Sequence, residues 1–234
     1  TLTCVDRTFS VHAHLVTDSL GSTGITSQVI QDALNFTNSL FEPICIQFEL
    51  CDLDVLPNYR FDTLSRQEEF PELLSKYNDE FRINIFFVSL IRDQFIPDQW
   101  GFTTRNGINL YENGGIAIVK NDIFRALPHE MGHFFGLFNT YEGGDELVNG
   151  SNCLTAGDRI CDTPADPYVQ GTSADSYLND NCVFISELVD RNNDDYLPDV
   201  CNVMSYYEGC GIFFSSEQLE TMAQNYLNGP KLMW

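Results

Sequence analysis

The sequence predicts an α+β protein. A mixed, twisted sheet with helices forms an N-terminal lobe, about residues 1–138, and an irregular, disulfide-bonded C-terminal lobe follows, about residues 139–234. Three observations predict this. Apolar runs of strand length recur before residue 120, interleaved with stretches of helical spacing. Beyond Gly136 the periodicity fades into glycine, asparagine and aspartate clusters. Five of the eight cysteines, Cys153, Cys161, Cys182, Cys201 and Cys210, fall in that second stretch. At 234 residues the chain is long enough for one sizeable core, and we read it as a single domain of two lobes.

Residues 9–16 (FSVHAHLV) alternate and are β-branched, which predicts a strand that ends before the Gly21 to Gly24 turn. Its two histidines, His12 and His14, share one face and read as packed or hydrogen-bonded side chains rather than a second metal site. A helix follows, capped by Thr26 or Ser27, with Val29, Ile30, Ala33, Leu34 and Leu40 near helical spacing. Residues 44–55 predict a second strand. An extended chain holds its Cys45 and Cys51 about 20 Å apart, too far to pair with each other, so one of them is expected to join Cys4.

Residues 61–77 predict an exposed helix broken at Pro71, and 83–91 (INIFFVSLI) a buried central strand. Turn formers crowd 93–113. A short strand at 114–120 is read either as an edge able to pair with an extended peptide or as an ordinary edge. A helix from about Asp122 to Gly136 carries Pro128, which predicts a kink or an irregular first turn. A last helix covers about 216–227, with Leu219, Met222, Ala223 and Tyr226 as its apolar stripe. There is no internal repeat.

Thirty-four acidic residues against twelve basic ones give a formal charge of −22. That excludes nucleic-acid phosphates and anionic membranes as partners, and favours cationic peptides or Ca²⁺, unless the acid serves only to solubilise. The cysteines form neither a CxxC pair nor a zinc-finger cluster, so disulfides in an oxidising compartment are expected, and with them secretion. With no charged-then-apolar leader and no run of about 18 apolar residues, the sequence reads as a mature, soluble segment.

The predicted helix before Gly136 holds His129-Glu130-Met131-Gly132-His133. The two histidines stand one turn apart on the same face, where two imidazoles can grip one Zn²⁺, and Glu130 lies beside the first as a general base. The residues therefore point to a zinc hydrolase. In it Glu130 takes a proton from the attacking water and passes it to a leaving amine.

Four blocks extend the pattern: HEMGHFFGLFNTYEGG, then GDRICDTPAD at 157–166, CNVMSYYEGC at 201–210 and FSSEQLETM at 214–222. Together they resemble the pappalysin family of metzincin metallopeptidases, while the first half agrees only in its strand and helix pattern. The resemblance implies a metzincin-like fold and a secreted endopeptidase acting on peptide or protein substrates. It implies His129 and His133 as zinc ligands, Glu130 as base, Gly136 as the turn toward a third ligand and Met204 as the Met-turn methionine. It also implies Tyr206 as the tyrosine that approaches the metal and stabilises the tetrahedral intermediate. Its GD…DTP block implies a Ca²⁺ site at Asp158 and Thr163, with Asp162 and Asp166 as helpers; by residue type alone these are equally Asx-turns. A preference for Lys or Arg after the cut is implied through an acid near the Met-turn, for which Glu208 is the nearest candidate. The spacing after Met204 looks one residue shorter than the family pattern.

Asn139 departs from the family, which has histidine there. Three readings stay open: Asn139 binds zinc through its amide oxygen, Glu142 or Asp145 substitutes, or the site is inactive and the chain is a polypeptide- or calcium-binding module. The acidic run 190–195 reads as a solvated loop.

Overall fold

In the computed structural model, residues 1–94, 102–105, 107–110, 115–207, 210 and 213–229 are described. Glu208, the expected pocket acid, lies outside them. The described residues form two compact units. One comprises Cys4–Phe134 with the segment from Tyr226, the other Phe135–Asn225 with Thr1–Thr3. Thr3 explains the second grouping, since its backbone N–H and hydroxyl both donate to the Glu220 carboxylate, at 2.8 and 2.7 Å.

The first unit begins with strand β1 (Arg7–Val16) and helix α1 (Ser27–Phe41). Thr26 caps the helix by accepting from the Val29 N–H, and Ile30, Ala33, Leu34, Thr37 and Phe41 form its buried stripe. A short 3₁₀ turn leads to β2 (Ile46–Leu56), and β3 (Thr63–Ser65) precedes α2 (Glu69–Tyr77). Pro71 does not break this helix. It occupies the first turn, where the missing N–H has no intrahelical partner to lose, so the helix simply starts later than the sequence suggested.

β4 (Ile83–Val88) is buried at every position, and β5 (Leu90–Gln94) leaves it for another sheet. After β6 (Phe102–Arg105), β7 (Gly107–Leu110) and β8 (Gly115–Val119) comes α3 (Ile123–Phe134). A five-stranded sheet has the order β2-β1-β4-β8-β7, parallel except for β7, and a three-stranded sheet has the order β3-β5-β6. β8 was expected at an edge, but it lies between β4 and β7. The strand that covers it comes from a stretch whose turn-like composition hid it.

Under the sheet a core of Phe61, Leu64, Phe70, Leu73, Phe86 and Ile91 packs α2 against the strands. The approach is so close that a Cβ on Gly115 would sit 2.2 Å from Leu74 Cδ2. α3 runs through Pro128, and the irregular turn falls before it at Lys120–Asp122.

The second unit has little regular structure besides α4 (Ser216–Asn228). Disulfides join Cys153 to Cys161 and Cys182 to Cys210, and in the first unit Cys4 joins Cys45. An even cysteine count does not mean full pairing here: Cys51 is an exposed thiol on β2 and Cys201 a half-buried one. Among the described residues no helix is long and apolar enough to cross a membrane.

Candidate metal centre

α3 is amphipathic, with Ile123, Ala126, Leu127 and Met131 facing inward, and that packing decides which way its histidines turn. His129 and His133 are half-buried, their ring centroids 4.6 Å apart and their planes perpendicular. Two imidazoles so arranged on consecutive turns fit a pair of nitrogen donors for one zinc-class ion. Glu130 between them is buried, at 5% exposure.

In the second unit, Gly136 takes φ +89°, a conformation that favours glycine, and a Cβ there would stand 2.6 Å from Asn225 Nδ2. That amide donates to Phe135 O at 2.9 Å, so α4 clamps the turn. Asn139 donates through Nδ2 to Glu142 Oε2 at 3.3 Å, while its Oδ1 is enclosed with no hydrogen-bond partner. Glu142 and Asp145 are exposed.

The Thr140 N–H donates to Met204 O at 3.2 Å, which ties this segment to the Met204 turn. Met204 is fully buried. Its turn rests on a buried amide pair: Asn202 Nδ2 donates to Gln218 Oε1 at 2.9 Å, Gln218 Nε2 returns a bond to Asn202 Oδ1 at 3.1 Å, and that oxygen also takes the Met204 N–H. Tyr206 is half-buried, its ring 5.6 Å from Tyr141 and 5.5 Å from Tyr168.

Asp158 and Thr163 come together. Thr163 Oγ1 is 2.9 and 3.0 Å from the two Asp158 oxygens and 2.7 Å from Ile160 O, so one hydroxyl proton faces three acceptors. Burial pushes Asp158 up to about 6. Glu146 is pushed further, to about 7, by its own burial and then by the charges of Asp158 and Asp166. Its Oε2 is enclosed and unpartnered, and a Cβ on Gly157 would lie 2.0 Å from it. Asp158 Oδ1 also takes the Ile160 N–H at 3.0 Å, so the oxygen left without a donor is Glu146 Oε2, a hard acceptor of the kind calcium takes.

The two expected helpers are otherwise engaged. Asp162 caps α4, accepting from Ser215 Oγ at 2.5 Å and Glu217 N at 2.8 Å. Asp166 takes bonds from Thr140, Tyr207 and the Tyr168 N–H. In the acidic run, Asp190 is buried and folds the loop into an Asx-turn by accepting from Asn192 and Asp194.

The sequence matches the peptidase M43 family, described as pregnancy-associated plasma protein-A, over residues 95–227. The chain belongs to that family. M43 members are metallopeptidases, so the family implies a metal, and the α3 imidazoles are the residues that suit it. An extracellular metalloprotease of Podospora anserina is 27% identical over 66% of this chain and 55% of its own length. One from Arthroderma gypseum is 25% identical over 92% of this chain and 71% of its own. The M43 chain thus spans little more than half the length of the first of these relatives. Mature mirolysin of Tannerella forsythia, solved with a cleaved peptide, shares the fold with a TM-score of 0.63 at 16% identity, covering 100% of this chain and 95% of that one. That likeness supports the α+β reading of the fold.

Sequence reasoning missed Glu146, the Tyr207 hydroxyl that engages Asp166, and the Asn202–Gln218 pair. For Glu146 one signal existed, an acid directly before Leu147 and Val148.

Proposed function

We propose that this chain is the single catalytic domain of a secreted zinc-dependent endopeptidase. The observation that carries the reading is the pair of perpendicular imidazoles one turn apart on α3 with buried Glu130 between them. His129 and His133 would hold the ion, with Asn139 as the third ligand through Oδ1, an oxygen that lacks a donor of its own. When bound, zinc polarises the scissile carbonyl and lowers the pKa of a water toward about 7.

Glu130 accepts the proton of the attacking water and delivers it to the leaving amine, a role worth roughly 10²–10⁴ in rate. Tyr206 donates a hydrogen bond to the oxyanion as it develops. Met204 forms an apolar floor. Asp158 and Thr163, joined by Glu146, would hold Ca²⁺ and so stiffen a lobe that has little regular structure. Substrates are extended peptides, with Glu208 selecting Lys or Arg after the cut. Extracellular relatives and three disulfides support secretion.

The test is cleavage of an unstructured protein, with zinc content measured on the same samples. The chain is expected to cut, and Glu130→Ala to keep its zinc and fall silent. Equal cleavage by Glu130→Ala overturns the mechanism, and a peptide library without basic preference discards the role of Glu208.

A further inference from the structure

His12 and His14 stand two residues apart on β1, so both side chains leave the same face. The parallel registers bring Asp52 and Asp54 of β2 opposite them on one side, and Asn84 and Phe86 of β4 on the other. The two rings lie 4.0 Å apart, and His14 stacks on Phe86 at 4.4 Å. His14 is 1% exposed.

Its tautomer follows from the hydrogen bonds. The Asn84 amide is oriented by its neighbours: Nδ2 faces the oxygens of Asn78, Asp79 and Arg82, and Oδ1 accepts the Asp79 N–H. His14 Nε2, 3.1 Å from that same Oδ1, must therefore be the protonated nitrogen, which leaves a bare lone pair on Nδ1. That atom is sealed from solvent and has no partner. His12 Nε2 shares a proton with Asp54 Oδ2 at 3.0 Å, and its Nδ1 is also enclosed, with Asp79 Oδ2 at 3.8 Å. Asp52, Asp54 and Asp79 face a single guanidinium, Arg82, which pairs with Asp52 and with Asp79.

A nitrogen of each ring and an oxygen of Asp54 lie within 4.8 Å of one another. In tetrahedral zinc, with bonds of about 2.0–2.1 Å, ligand atoms stand roughly 3.3 Å apart. The contraction needed is small for Asp54, whose side chain is 60% exposed and can swing.

We propose that His12, His14 and Asp54 form a second site for a zinc-class divalent cation, separate from the histidines of α3. The ion takes the place of the proton between His12 Nε2 and Asp54, and that proton moves to Nδ1 of the same ring. His12 then stays neutral and carries its one N–H on Nδ1, toward Asp79. His14 ligates through Nδ1, and its Nε2–H stays on Asn84, so each imidazole has an oxygen behind it that fixes its tautomer. Two imidazoles and a carboxylate select zinc or a neighbouring transition ion over Ca²⁺ or Mg²⁺.

The experiment counts zinc per full-length chain after loading with Zn²⁺ in excess Ca²⁺ and removal of free metal. Two equivalents are expected, falling to one in His129→Ala/His133→Ala and to none when Asp54→Asn or His12→Asn is added. Asp54 is an accessible side chain, whereas His12 is only 13% exposed, so circular dichroism checks that each variant folds. Co²⁺ in the double-alanine background is expected to give a visible d–d band that Asp54→Asn abolishes. Zinc counts unchanged by both Asp54→Asn and His12→Asn overturn the site. A count unchanged by His129→Ala/His133→Ala sinks the α3 assignment instead, so the two failures are told apart.

Discussion

Asn139 donates through its amide nitrogen to Glu142 Oε2, and this contact decides which way the amide faces. A carboxylate only accepts, so the NH₂ must point to it and the oxygen must point away, into an enclosed position without a donor. The arrangement presents oxygen, not nitrogen, for coordination. Asn139→Ala is therefore expected to weaken zinc retention at least tenfold, about 1.4 kcal/mol, and Asn139→His to strengthen it. Competition with a chelator of known affinity measures both, and an alanine variant that holds zinc as tightly as the parent removes Asn139 from the ligand set.

The Tyr207 hydroxyl donates to Asp166 Oδ1 at 2.6 Å, and both groups are buried. Burial raises the pKa of each, and Asp166 depends on its donors to stay in place. Tyr207→Phe leaves that carboxylate one donor short, at about 1–3 kcal/mol. Urea unfolding should show a lower midpoint with an unchanged slope.

Glu146 makes stability depend on pH once divalent ions are chelated. Its folded pKa, about 7, is above the ordinary 4.5, so the fold favours the protonated acid. That contribution is complete below about pH 4.5 and is lost as pH rises through 7. The chelated chain is expected to be less stable at pH 8 than at pH 5, by on the order of 1–3 kcal/mol. Glu146→Gln should reduce the difference, leaving the share that Asp158 contributes in the same direction, and Ca²⁺ should restore stability at pH 8. A chelated parent with no such slope counts against the buried acid.

Gly136→Ala forces a side chain into positive φ and onto the Asn225 amide, which already serves Phe135. The expected cost is roughly 1–2 kcal/mol with a lower melting temperature. Asn225→Ala tests the clamp separately, and activity unchanged in both would detach this turn from the metal centre.

Much of this was legible in local pattern. Thr26 announced its helix because a capping hydroxyl acts within three residues, and INIFFV announced a buried strand because both faces are apolar. His129 and His133 share a helix face for the same local reason. What stayed hidden depends on distant partners. β7 looked like turn sequence until β8 paired with it, Pro71 looked like a breaker until the helix start was placed, and nothing singled out Glu146 until Gly157 folded over it. Cysteine pairing was legible only in part: the expectation that Cys45 or Cys51 joins Cys4 is met by Cys45, 41 positions away, while the pairs of the second unit depend on how distant loops meet.

Lys120 lies just ahead of α3, 8% exposed, its ammonium 2.6 Å from Val16 O and 2.7 Å from Asp62 Oδ1. The same Asp62 oxygen takes the Ser89 N–H. For protein engineering this sets the smallest transferable part. A graft that moves residues 123–134 into a new scaffold leaves behind the anchor that fixes the helix start. It would then aim its imidazoles by chance, unless the cation, its carboxylate and the strand carbonyl travel as one cassette.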